Sequence, residues 1–88
     1  MPTIPWPPER IRQLRKRITP EDLTPEVIRW LVDIYDSAPR LADALGRVGD
    51  SYVSAPAVYS WVHQTAPKRP TDWHTVDALM QLVRQNLP

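Results

Sequence analysis

Cysteine is absent from the 88 residues, which excludes disulfides and thiolate metal sites and gives no sign of an oxidising compartment. Glycine occurs only at Gly46 and Gly49, and no stretch alternates strictly between apolar and polar residues, so sheets are disfavoured. No apolar run approaches the roughly 18 residues that a membrane span needs. The opening MPTIPWPP is proline-rich and lacks the apolar segment of a secretion signal; a cytoplasmic protein is the default expectation, with no membrane partner. Signatures of catalysis are missing too: there is no G-x-S-x-G, no glycine loop for phosphates and no paired-carboxylate spacing. So short a chain rarely encloses a substrate-sized pocket. Neither an enzyme nor a cofactor is expected. His63 and His74 have no cysteine or acid cluster to complete a metal site.

What is present describes one small domain. Apolar residues at 42% and charged residues at 24% suit a globular rather than a disordered chain. A chain of this size buries about 60–65% of its unfolded surface, so its core has to be compact. The net charge of +1 hides a polarised distribution. Residues 9–17 carry Arg10, Arg12, Arg15, Lys16 and Arg17 against Glu9 alone, a balance of +4. Residues 18–66 carry seven acids and three cations, a balance of −4, and residues 67–88 are +1, led by Lys68 and Arg69. Such a chain can still present one basic face.

The 11 prolines punctuate the chain, because proline favours the first turn of a helix or the gap before it. Residues 1–8 read as an extended arm whose Ile4 and Trp6 pack back on the body, and residues 9–88 as a single helical domain. PERIRQLRKRI has apolar residues at 11, 14 and 18, a helical spacing with basic residues elsewhere. Thr19 and Thr24 each precede Pro-Glu and are candidate N-caps; Val27, Ile28, Leu31, Val32 and Tyr35 then mark one face of a helix ending near Ser37. PRLADALG reads as a short helix stopped by Gly46, and RVGDSY as a loop. SAPAVYSWVHQT reads as a helix capped by Ser54 and broken by APKRP; a last helix begins at Thr71, with apolar residues at 73, 76, 79, 80, 83 and 87. Trp30, Trp61 and Trp73 are expected in the core. The expected fold is all-α, a compact bundle of about five helices with an extended proline-rich N-terminal arm.

Residues 38–65 carry the functional signal. LADALG buries Leu41, Ala42 and Leu45, with small Ala42 admitting a neighbouring helix. VSAPAVYSW anchors Val58, Trp61 and Val62 at i, i+3 and i+4 and turns Ala55, Pro56, Tyr59, Ser60 and His63 outward. The pair resembles the helix-turn-helix of Cro and phage-repressor DNA-binding proteins, in which an LA..LG helix precedes VS...V..W. WPPERIRQLRKR and ALMQLVRQNLP are similar to the opening and closing helices of such domains. The resemblance implies a small transcriptional regulator of phage or bacterial type on double-stranded DNA, its second helix in the major groove. It implies base-reading places at Ala55, Pro56 and Tyr59, with Ser60 and His63 on the same outward face. It also implies phosphate contacts at Ser54, at the amides starting that helix, and at Lys68 and Arg69. This chain differs from the pattern in adding six residues, RVGDSY, between LG and VS, and in an additional helix, PEVIRWLVDIYDS. Ala and Pro cannot hydrogen-bond a base through their side chains, although they can touch a thymine methyl.

Each feature also has a plainer interpretation. Tyr59 divides between half-buried packing and a ligand-facing role, and His63 between a solvated helix position and a phosphate contact. Arg10, Arg12, Arg15, Lys16 and Arg17 form a solvated face, a phosphate-neutralising patch or a contact for an acidic protein partner. Asp33, Asp36, Asp43 and Asp50 read as solvated acids that disfavour a DNA surface on the middle of the chain. The last helix, through its stripe ending at Leu87, is a candidate homodimer surface or simple core. The alternative function is a helical protein–protein interaction module without DNA binding, such as a death-like adaptor domain or a phage-encoded inhibitor of a host protein.

Overall fold

The computed structural model describes residues 4–50, 52–62, 70 and 72–88. Five α-helices and one 3-10 turn account for its regular structure, and there is no strand among the described residues. The helices are α1, Pro8–Lys16; α2, Pro25–Tyr35; α3, Ala38–Gly49; α4, Ala55–Val62; and α5, Trp73–Asn86. The 3-10 turn is Pro20–Asp22. The all-α bundle expected from the sequence is therefore what forms.

Both Thr-Pro-Glu starts are used, in different ways. Thr24 caps α2, its Oγ1 accepting the Val27 N–H at 3.4 Å, and Pro25 fills the first helical position, where a missing N–H costs nothing. At the other start the Thr19 N–H and hydroxyl both donate to Asp22 Oδ2, at 2.9 and 3.1 Å, closing the 3-10 turn. Arg10 of α1 pairs with Asp22 Oδ1 and donates to Gln13 Oε1 at 3.0 Å. Burial pushes the Asp22 carboxyl up, but the Thr19 hydrogen bonds and the Arg10 charge outweigh it and hold the group below its ordinary value. Arg10 is therefore a structural tie between α1 and the turn, and leaves the outward set to which the sequence assigned it.

One core runs through α2, α3, α4 and α5. α3 packs on α5, α4 and α2, and α2 also packs on α4. Leu31, Leu41, Leu45, Val58, Leu79 and Val83 are completely buried at its centre. Each such side chain contributes roughly 1.5–3 kcal/mol of transfer free energy. Trp30 and Trp61 are buried as expected, and α1 buries Ile11 and Leu14. The described part of the arm folds back: Ile4 and Trp6 are half-buried against the core, and the Trp6 ring meets Trp30 edge-on with centroids 5.5 Å apart. Two polar ties join α2 to α4 and α5. Arg29 donates to the Val62 carbonyl of α4 at 2.9 Å, and Asn86 of α5 to the Tyr35 hydroxyl at 3.3 Å. The Cα radius of gyration, 12.0 Å, is that of a compact domain of this length, about 12 Å.

Several boundaries differ from the sequence reading. α2 stops at Tyr35, because Asp36 takes a left-handed conformation with φ 77°, and Ser37 instead caps α3, its Oγ accepting the Arg40 N–H at 3.3 Å. Gly46 does not end α3. The helix continues to Gly49 and ends at Asp50, which is left-handed with φ 50°; neither glycine has a positive φ. Aspartate tolerates this conformation better than most residues with a Cβ, and the additional turn places half-buried Val48 against the core. Gly49 has another use. A methyl there would lie 3.2 Å from the Ala78 Cβ and 3.4 Å from the His74 carbonyl oxygen, so the missing side chain lets α5 pass close to the end of α3. That close passage sets the rotation of α5. The small residues Thr75 and Ala78 face inward with Leu79, Leu82 and Val83, while Val76 and Met80 flank this stripe, half-buried. Trp73, expected in the core, is 69% exposed and stacks on the His74 ring with centroids 3.7 Å apart. α5 begins at Trp73 rather than Thr71, after Asp72, whose Oδ2 accepts the Thr75 hydroxyl at 3.1 Å.

Candidate nucleic-acid interface

The local sequence explains how α4 is set. Ser54 is extended before the helix, its Oγ accepts the Ala57 N–H at 3.2 Å and its carbonyl accepts the Val58 N–H at 3.3 Å. This is the N-cap that the sequence indicates. Val58, Trp61 and Val62 turn into the core. The opposite face carries Pro56 and Tyr59, both exposed, the tyrosine at 47%. The face to which the resemblance assigns base reading is thus turned away from the core.

Not every residue assigned to that face belongs to it equally. Ala55 is half-buried, lining a groove with α3. The Ser60 hydroxyl donates to the Ala57 carbonyl of its own helix at 2.6 Å, which engages its proton locally. The amides at the start of α4 are fewer than the resemblance implies, because Pro56 has no N–H and that of Ala57 is held by Ser54. His63, Lys68 and Arg69 lie outside the described residues, as does all but Pro70 of APKRP, to which the end of this helix was assigned.

The turn between α3 and α4 is shorter than RVGDSY suggested. Arg47, Val48 and Gly49 are helical, so only residues 50–54 join the two helices. Beside this turn lies a groove of ≈ 440 Å³ whose walls include Ala42, Gly46, Val53 and Ala55. Tyr52, at 88% exposed, stands at its edge. The sequence reading missed Tyr52, since a residue assigned to a loop gives no hint of what it stands beside.

Two of the aspartates at the start of α3 and along it are compensated. Asp43 pairs with Arg47 at 2.7 Å, and Asp36 with Arg40 at 3.6 Å, each at i, i+4. Exposed pairs like these add only about 0–1 kcal/mol of stability. They do cancel much of the negative field that the aspartates would otherwise present to a phosphate backbone.

The largest cationic cluster among the described residues is elsewhere. Arg12, Arg15, Lys16 and Arg17 are exposed, and Lys16 and Arg17 share a groove with Arg84 of α5. Arg84 was not singled out from the sequence, because its nearness to Lys16 is purely tertiary. Among the described residues no three His, Asp or Glu side chains gather as metal ligands would, and no helix is long and apolar enough to cross a membrane. Comparison with protein-family models, curated proteins and solved structures finds no match for this chain.

Proposed function

We propose that this chain is a small helix-turn-helix DNA-binding regulator of phage or bacterial type, presenting the outward face of α4 to the major groove. One observation carries the reading. α4 is anchored by Val58, Trp61 and Val62 and capped by Ser54, yet leaves Pro56 and Tyr59 exposed on the first turns of a helix that packs on α3. That disposition, with the reading residues near the N-terminus of the second helix, is what insertion into a groove requires. Lys68 and Arg69, close after α4 in sequence, supply the phosphate contacts. Of the exposed reading residues only Tyr59 can hydrogen-bond a base through its side chain, so affinity rests on phosphates and discrimination between sequences is slight. Anisotropy of a labelled random duplex titrated over a salt series is the test. Binding at low salt, lost steeply as salt rises, supports the reading; no binding at micromolar protein in low salt removes it.

The second reading, an interaction module without DNA binding, is favoured by Tyr52, which stands 88% exposed at the edge of the α3–α4 groove. Exposed aromatics at a concave surface are frequent anchors of protein interfaces. Substituting Tyr52 by Ala leaves duplex binding unchanged if α4 alone meets DNA.

A further inference from the structure

The groove between the end of α1 and the outer side of α5, ≈ 300 Å³ in volume, joins apolar surface to the positive charge that α4 lacks. Its rim is cationic: Lys16, Arg17 and Arg84 surround it against the single acid Asp77. Its floor is apolar: Ile18 and Met80 are half-buried and pack on the core beneath. Asp77 is already engaged on one oxygen, where Gln81 Nε2 donates to Oδ2 at 2.8 Å.

We infer that this groove docks an acidic amphipathic protein segment, an apolar side chain seated on Ile18 and Met80 and flanking carboxylates on Lys16, Arg17 and Arg84. Charge complementarity selects the sign of the occupant, since the three cations have one local counter-charge between them. The floor selects its class. A phosphodiester backbone has nothing apolar to lay on Ile18 and Met80, whereas an aliphatic side chain covers that surface. Methionine suits such a floor, because its unbranched, polarizable side chain adapts to varied partners. Arginine at the rim can bind a carboxylate through two parallel hydrogen bonds. An amphipathic helix with apolar residues at i, i+3 and i+4 offers both features at once. This surface is separate from α4 and does not depend on the DNA reading.

The test uses the whole chain and three labelled probes followed by anisotropy at physiological salt. The first is a helical peptide of about 14 residues, roughly four turns, with leucine at i, i+3, i+4 and i+7 spacing and glutamate on the flanks. The second replaces each leucine by serine, and the third is a random duplex. The expected result is micromolar binding of the leucine–glutamate peptide, weakened about tenfold or more by the serine replacement. Lys16→Glu with Arg84→Glu weakens that peptide by a similar factor and leaves duplex binding unchanged. Circular dichroism of this double variant, which alters only exposed side chains, verifies that the helices remain. Equal binding of the serine peptide, absence of binding by the leucine peptide, or loss of duplex binding in the double variant each overturns the inference.

Discussion

The α3–α4 corner and the α1–α5 groove divide between them two properties that a nucleic-acid-binding domain usually unites. The corner has the shape: a capped, anchored helix with an exposed N-terminal face that offers Pro56 and Tyr59, but α4 itself carries no cation, and the exposed Arg40 and Arg47 of α3 are paired with Asp36 and Asp43. The groove has the charge, Lys16, Arg17 and Arg84, over an apolar floor. Charge concentrated away from the reading helix serves a different partner better than it serves that helix. On the proposed readings the corner meets duplex DNA, with phosphate contacts from the segment after α4, and the groove takes an acidic segment.

Substitutions can break or sharpen this contrast. The largest effect belongs to Trp61, 7% exposed, which fixes α4 in the core. Trp61→Ala should cost about 3–5 kcal/mol in a urea melt and remove duplex binding with it. Trp73→Ala, at an exposed stacked ring, should cost less than about 1 kcal/mol. If the two losses were alike, the placement of α5 would be wrong. Next, Lys68→Ala with Arg69→Ala should weaken duplex binding by about 1–3 kcal/mol while leaving the acidic peptide's affinity as it was. Asp22→Asn should cost up to about 1 kcal/mol, since the Arg10 partner is well exposed. Its pH signature follows from the lowered carboxyl value. The stabilisation is fully present above the ordinary carboxylate range and is lost as pH falls through the folded-state value. The Asn variant should lack that part of the acid limb in melts across pH. The smallest effect is that of Gly46→Ala. Inside a helix the change should stabilise by about 0.5–1 kcal/mol, whereas at a left-handed stop it would destabilise.

What the sequence made legible was burial and capping; what it hid was tertiary. Val58, Trp61 and Val62 showed their inward face by spacing alone, and Ser54 and Thr24 announced the starts of α4 and α2, because these signals are local. Gly46 misled, because a glycine after a leucine looks like a stop, yet the following turn gains Val48 as a core contact and Asp36 and Asp50 take the left-handed positions instead. Trp73 misled by size. The rotation of α5 is set by the close approach at Gly49, which calls for Ala78 rather than an indole, and no spacing rule contains that contact. At the candidate interface, Pro56 and Tyr59 were legible as outward residues. The engagement of Arg10 by Asp22, the local hydrogen bond of Ser60 and the meeting of Arg84 with Lys16 were not, since each depends on how segments fold onto one another.

A single comparison separates the two surfaces: random-duplex binding by Tyr59→Glu and by Lys16→Glu/Arg84→Glu, side by side at physiological salt, where charges more than about 8 Å apart are largely screened. A carboxylate placed on the outward face of α4 should weaken duplex binding about tenfold or more, as like charge meets the phosphates, while the double variant in the groove binds as the parent does. Duplex binding indifferent to Tyr59→Glu would contradict the assignment of α4 to the major groove.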